Sequence, residues 1–139
     1  MILLDTNVVS EMMRPVADPS VLGWLSRCSA NDLCCNAVVV AEILYGVELL
    51  PIGKRKTDLL AGAERLFKVV LGGRILPFDE QAARQFSIIA TRRRTRGRPM
   101  TELDAQIAAI AQVHDASLAT RNTADFEGCG VQLINPWVD

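Results

Sequence analysis

Ile2-Leu3-Leu4 is an unbroken apolar run that stops at Asp5, and short runs of the same kind recur along the chain. A strand with one wet face alternates apolar and polar residues, whereas a run without alternation belongs to a strand covered on both faces. Leu33-Cys34-Cys35 reads as a second such strand. Arg74 to Phe78 reads as a short connecting strand or extended segment, and Ser117 to Thr120 and Val131 to Ile134 as two more strands. Between them the apolar spacing turns helical. Pro19, capped by Asp18, opens a helix carrying Val21, Leu22, Trp24 and Leu25. Val39, Ile43, Val47 and Leu50 mark a helix from about Val38 to Leu50, broken by Pro51 and Gly53, and another spans about Lys54 to Val70. Asp79 caps a helix that ends in an arginine run, Thr101 starts one that ends near His114, and Thr123 to Phe126 is a short helical turn. Strands of this kind alternating with helices predict an α/β fold, a parallel sheet flanked by helices on both faces. The 139 residues suit one domain over 1–139, with no repeat and no linker.

Composition closes several alternatives. Half of the residues are hydrophobic, which argues against disorder, yet no stretch approaches the roughly 20 apolar residues of a membrane span. The first residues lack a basic flank and a small-residue cleavage site, so they do not read as a signal peptide, and a cytoplasmic protein is expected. Cys28, Cys34, Cys35 and Cys129 form no C-x-x-C pair and have a single histidine, His114, to join them. Zinc is therefore not expected, and the thiols read as reduced apolar side chains. The 15 Lys and Arg nearly balance 16 Asp and Glu. Setting four acids aside as ligands leaves 12 against 15, so the near-neutral total does not argue against an anionic substrate.

Four carboxylates carry the chemistry. Asp5 ends the first strand, at the carboxyl edge where parallel sheets bind ligands, although an acid there also serves as a helix cap. Glu42 lies about 60° from Val39 around its helix, at the border of the buried stripe, and needs a metal or a buried ion pair. Asp104 is the third helical residue of Thr101-Glu102-Leu103-Asp104, which also resembles a capping box. Asp125 follows the Ser117–Thr120 strand by one loop, and that loop also reads as simply polar. Together these oxygens, without thiolate or imidazole, select Mg2+ or Mn2+. Such an ion polarises a phosphodiester and activates a water for in-line attack.

Taken in order, Met1 to Ser10, Val40-Ala41-Glu42-Ile43, Asp104 to Ala109 and Ala119 to Phe126 resemble a PIN domain, with the spacing of the VapC-type toxins. Gly73 to Asp79 and Ile134 to Trp137 are similar to the FitB-like branch. The resemblance implies an endoribonuclease toxin with one or two Mg2+ (or Mn2+) ions. Asp5, Glu42 and Asp104 match its principal acids. Some relatives carry the fourth acid directly after the Thr-Arg pair, where this chain has Asn122; others carry it three residues later, at Asp125. The role is carried to Asp125, with Asn122 as a neutral helper. Thr6, Asn7 and Thr120 match small polar positions beside the pocket, suited to holding the acids by hydrogen bonds. The implied partners are an RNA substrate, a second copy in a homodimer, and a cognate antitoxin that inserts a segment at the site, forms higher assemblies and alone contacts operator DNA.

Arg92, Arg93, Arg94, Arg96 and Arg98 are candidates for RNA contact; the same run also suits a solvated helix end. Trp24, Trp137, Tyr45 and the phenylalanines read as core or interface, and His114 as a helix-end partner rather than a base. Leu44, Leu49 and Leu50 are equally candidates for antitoxin contact or for the interior. A haloacid-dehalogenase phosphatase would want a second Asp where the chain has Asn7. A PIN-like module without catalysis stays open through Asn122.

Overall fold

The computed structural model describes residues 1–139. Its strands are β1 (Ile2–Leu4), β2 (Leu33–Asn36), β3 (Ile75–Leu76), β4 (Ser117–Ala119) and β5 (Leu133–Ile134). Its helices are α1 (Thr6–Met12), α2 (Pro19–Arg27), α3 (Ala37–Glu48), α4 (Lys54–Arg65), α5 (Glu80–Thr95), α6 (Glu102–Val113) and α7 (Thr123–Phe126). The strands form one sheet in the order β3-β2-β1-β4-β5, every neighbouring pair parallel, and the helices flank it. β1 is central, with Leu3 beside Cys34 on one side and Leu118 on the other. All three are buried, which is why these runs never alternate.

Local chemistry starts the helices where expected. Asp18 accepts from the Ser20 N–H at 2.8 Å with Pro19 behind it, and Asp79 accepts from the Ala82 N–H at 3.0 Å. The helix expected over 54–70 has two parts. α4 passes into a single π-helical turn, Leu66–Val70, closed by the Leu71 N–H on the Leu66 carbonyl at 2.9 Å. The wider turn brings Leu66, Phe67 and Leu71 into the core together, a packing gain that helical periodicity does not express. The outer strands are shorter than expected. β3 and β5, the two edge strands, pair over two residues each.

The chain leaves β1 toward β2 and β3, then returns to the other flank of β1 as β4. The β1–β4 boundary is therefore a topological switch point, and the carboxyl ends there are where such sheets form a ligand crevice. Asp5 and Thr120 follow those two ends directly. No helix is long and apolar enough to cross a membrane.

Candidate functional site

Asp5 is 5% exposed and caps α1, accepting from the Thr6 N–H at 2.8 Å through Oδ1. Its Oδ2 accepts from the Thr120 hydroxyl at 2.6 Å and from Asn7 Nδ2 at 3.3 Å. Thr120 Oγ1 in turn accepts from Asn7 Nδ2 (3.2 Å) and the Asn122 N–H (3.1 Å). Asp5 thus fills the cap role and also sits at the hub of a polar network at the crevice. Thr6 extends the network sideways, its hydroxyl donating to Glu42 Oε1 at 2.9 Å. Glu42 is half-buried, as its helical position requires, and no cation pairs with it.

Asp104 is half-buried at the start of α6, and its N–H donates to the Thr101 hydroxyl at 3.2 Å. The reciprocal bond of a capping box, from the Thr101 N–H to the Asp104 carboxylate, is not formed, so of the cap only the Thr101 side chain bears on that carboxylate. Asp125 lies exposed in α7. None of the four acids is in a salt bridge. Glu11 makes the contrast: this buried acid outside the crevice accepts from the Asp18 N–H at 2.8 Å and pairs with Arg14 at 3.3 Å.

Electrostatics joins what the sequence keeps far apart. Burial pushes the Asp5 carboxyl above its usual value of 3.8. The Thr120 and Thr6 hydrogen bonds oppose the shift, and the charges of Glu42 and Asp125 add to it. Burial likewise raises Asp104, opposed by the Thr101 side chain, reinforced by Asp5 and Asp125, and opposed again by Arg93. Asp125 therefore reaches both other aspartates, whereas Asn122 contributes a backbone N–H to Thr120 and no charge. On this ground, for the RNA cleavage that the sequence resemblance implies, Asn122→Ala is expected to reduce kcat/KM on one RNA by less than tenfold and Asp125→Ala by more. The reverse order would move the fourth position to Asn122.

A second expectation follows for Asp104. Its carboxyl titrates higher folded than unfolded, so the ionised form costs stability at neutral pH, and the cost vanishes as pH falls through the raised value. Asp104→Asn should therefore raise the melting temperature of metal-free protein by a few degrees at pH 7 and by nothing near pH 3. A lowered melting temperature at pH 7 would contradict this balance.

No three His, Cys, Asp or Glu side chains stand together as a finished metal cage. An all-carboxylate, partly open set suits Mg2+, which keeps several of its waters and takes only one or two protein carboxylates directly. Burial raises Asp5 and Asp104 and the neighbouring acids add to it, and a bound cation would favour the ionised form of both.

Beside the acids, α1, α3 and α4 enclose a groove of about 970 Å³. Thr6 and Glu42 line its inner end, Val47 and Leu50 its apolar wall, and Lys54 and Arg55 its outer rim. Leu50 thus belongs to the groove, Leu49 is exposed, and Leu44 packs on the core.

The family model for the PIN domain matches residues 2–128. The chain belongs to the PIN-domain family. Toxin FitB of Neisseria gonorrhoeae is 41% identical over 139 residues, covering all of both chains. A VapC ribonuclease, Y4jK of Sinorhizobium fredii, is 39% identical over 99% of this chain and 98% of its own length. A solved structure of FitAB bound to an IR36 DNA fragment superposes with a TM-score of 0.91 at 41% identity, covering 99% of this chain and 96% of that one.

Two outcomes in this PIN domain correct the sequence reading. Arg93 is not available to RNA. It is 5% exposed, and its guanidinium donates to the carbonyls of Arg98 (2.7 Å), Asp125 (3.0 Å) and Glu127 (2.7 Å). Arg92, Arg94, Arg96 and Arg98 are exposed, with Arg98 paired to Glu127 at 3.4 Å. Asn36 was not anticipated. It ends β2 and caps α3 through Oδ1 on the Val39 N–H at 3.0 Å, while its fully buried Nδ2 has no partner. The signal was present, since Asn36 stops a buried apolar run as Asp5 does. His114 sits at the end of α6 that precedes β4, the opposite edge from the acids. All four thiols are free, and burial pushes those of Cys34 and Cys35 up to about 11 and 12. Tyr45 is exposed, whereas Trp24, Phe67 and Phe126 are core.

Proposed function

We propose that this PIN domain is the toxin of a type II toxin–antitoxin pair and cuts RNA as a Mg2+- or Mn2+-dependent endoribonuclease. The observation that carries the reading is the meeting of four carboxylates, none in a salt bridge, at the β1–β4 switch point of a chain so similar to FitB and to a VapC ribonuclease. Asp5 and Asp104 would hold one ion, with Glu42 and Asp125 completing its surroundings or holding a second. When bound, the ion supplies a Lewis acid that polarises the phosphodiester and lowers the pKa of a water. Thr120, Thr6 and Asn7 fix the Asp5 oxygens, so that this carboxylate presents one geometry instead of several. Glu42 is oriented in the same way by the Thr6 hydroxyl. No histidine stands nearby, so proton removal falls to the carboxylates and the water.

The antitoxin is inferred to lay a segment along the groove between α1, α3 and α4, with a Lys or Arg reaching Glu42 and Asp5 from its inner end. An apolar wall that opens onto unpaired acids is complementary to an amphipathic segment ending in a cation. A homodimer in the cytoplasm, bound to operator DNA only through the antitoxin, completes the reading.

The test uses purified chain freed of any partner, structured RNA, and Mn2+ or Mg2+. Cleavage is expected with metal and absent with EDTA. Cutting that EDTA does not stop would remove the metal, and no cutting of tRNA or rRNA would favour a binding module without catalysis.

A further inference from the structure

Arg121 follows Thr120, the residue whose hydroxyl holds the central carboxylate, and its backbone is tied down on both sides. Its N–H donates to Asn7 Oδ1 at 3.1 Å, and its carbonyl accepts from Asn135 Nδ2 at 3.5 Å. Residue 121 is thereby fixed to the acidic crevice on one flank and to the segment after β5 on the other. The side chain is exposed, and its guanidinium lies 5.1 Å from the centroid of the Trp137 ring. Trp137 is itself anchored, half-buried against the core, with its N–H on Asn135 Oδ1 at 3.0 Å.

The guanidinium of Arg121 has no carboxylate in ion-pair range and donates no hydrogen bond. Arg14, Lys54, Lys68, Arg84 and Arg98 each pair with an acid, and the exposed Arg55, Arg65, Arg92 and Arg94 do not; what sets Arg121 apart is the ring that holds it. An arginine at the rim of a cluster of four acids would ordinarily fold onto one of them. Here the indole ring holds the cation, and its N–H groups, with no acceptor in the protein, stay free for a planar pair of oxygens. Two features thus coincide, a pre-positioned cation with open donors and a location one residue from the reacting edge. A negatively charged polymer entering the crevice must overcome the repulsion of those acids, and a fixed cation beside them offsets it.

We propose that Arg121, held over Trp137, binds a backbone phosphate of the RNA strand next to the phosphodiester being cut. Rather than touching the reacting atoms, it positions the strand. This inference rests on the ribonuclease reading above, and Trp137 acts through Arg121 instead of stacking a base.

The experiment uses the whole chain in two assays. Labelled RNA is titrated in EDTA at several salt concentrations, and the same RNA is then cut in Mn2+. Arg121→Ala is expected to weaken binding about tenfold, to lower the slope of log K against log salt by about one, and to raise KM with kcat nearly unchanged. Arg121→Lys should recover part of the affinity. Trp137→Phe, which keeps an aromatic face and the packing, should stay near wild type. Trp137→Leu should follow Arg121→Ala, with thermal melting confirming that it folds. Arg84→Ala, the same charge change far from the crevice, serves as the unaffected control. An Arg121→Ala variant with unchanged KM and salt slope would overturn the proposal while leaving the nuclease standing, as would a loss confined to kcat. A wild-type chain that neither binds nor cuts RNA would overturn both.

Discussion

Asp5→Asn will lower RNA cleavage by at least about 10³, several kcal/mol of lost Lewis-acid stabilisation, while the fold survives. The two halves of this expectation have separate causes. Asparagine keeps an oxygen for the Thr6 N–H, so α1 keeps its cap. The other oxygen becomes an NH2 group facing Thr120 Oγ1 and Asn7 Nδ2, and one donor must then turn away. That conflict costs about 1 kcal/mol. Removing a buried carboxylate, raised by desolvation and by two neighbouring acids, works in the opposite direction. The net change in melting temperature should be small, and the stabilisation that Mn2+ gives the wild type should disappear. Growth inhibition on expression should disappear with it. Full cleavage by this variant would sink the assignment of Asp5 to the metal, and an unfolded variant would mean that the network, not the charge, is what Asp5 supplies.

What could be read in advance follows from where the physics is local. Unalternating runs revealed the buried strands, and with them the edge at which Asp5 would emerge. Caps at Asp18, Asp79 and Thr101 placed helix starts, because the bond to the cap from the second or third helical residue is a short-range event. Glu42 at the stripe border was legible from helical spacing alone. That four acids 120 residues apart feel one another was not, since sheet order decides which strand ends are neighbours. The π-helical turn at Leu66–Val70 answers to tertiary packing and leaves no periodic mark. Arg121 belongs to the same class, under a ring sixteen residues away, whereas Asn36 did leave a mark by stopping a buried run. The arginine run shows how charge can mislead. Ala82, Ile89 and Arg93 are the buried residues of α5, at spacings of seven and four. Position 93 lies on the buried face by helical arithmetic that its neighbours' charge obscured.

Arg93→Ala is accordingly expected to damage the site through the fold, in contrast to Arg92→Ala or Arg94→Ala. The guanidinium joins α5 to three carbonyls, two of them in the segment that carries Asp125. Each charge-assisted bond is worth about 1.5–3 kcal/mol, and truncation also leaves a void in a tightly packed place. Since water can reach some of the freed carbonyls, a net loss of about 3–5 kcal/mol is expected, a drop in melting temperature on the order of 10 °C or more. Arg93→Lys should recover only part, because one ammonium on a flexible stem cannot reach three divergent acceptors. Arg93 also lowers the Asp104 carboxyl, so its loss frees Asp125 from its anchor and removes a compensating charge from the cluster. At a temperature where the variant is still folded, metal affinity should fall together with cleavage. A variant that melts like the wild type but binds RNA poorly would restore Arg93 to the nucleic-acid surface. One that melts early yet cuts normally would show that Asp125 needs no such anchor, and the fourth acid would then have to be sought elsewhere in the loop.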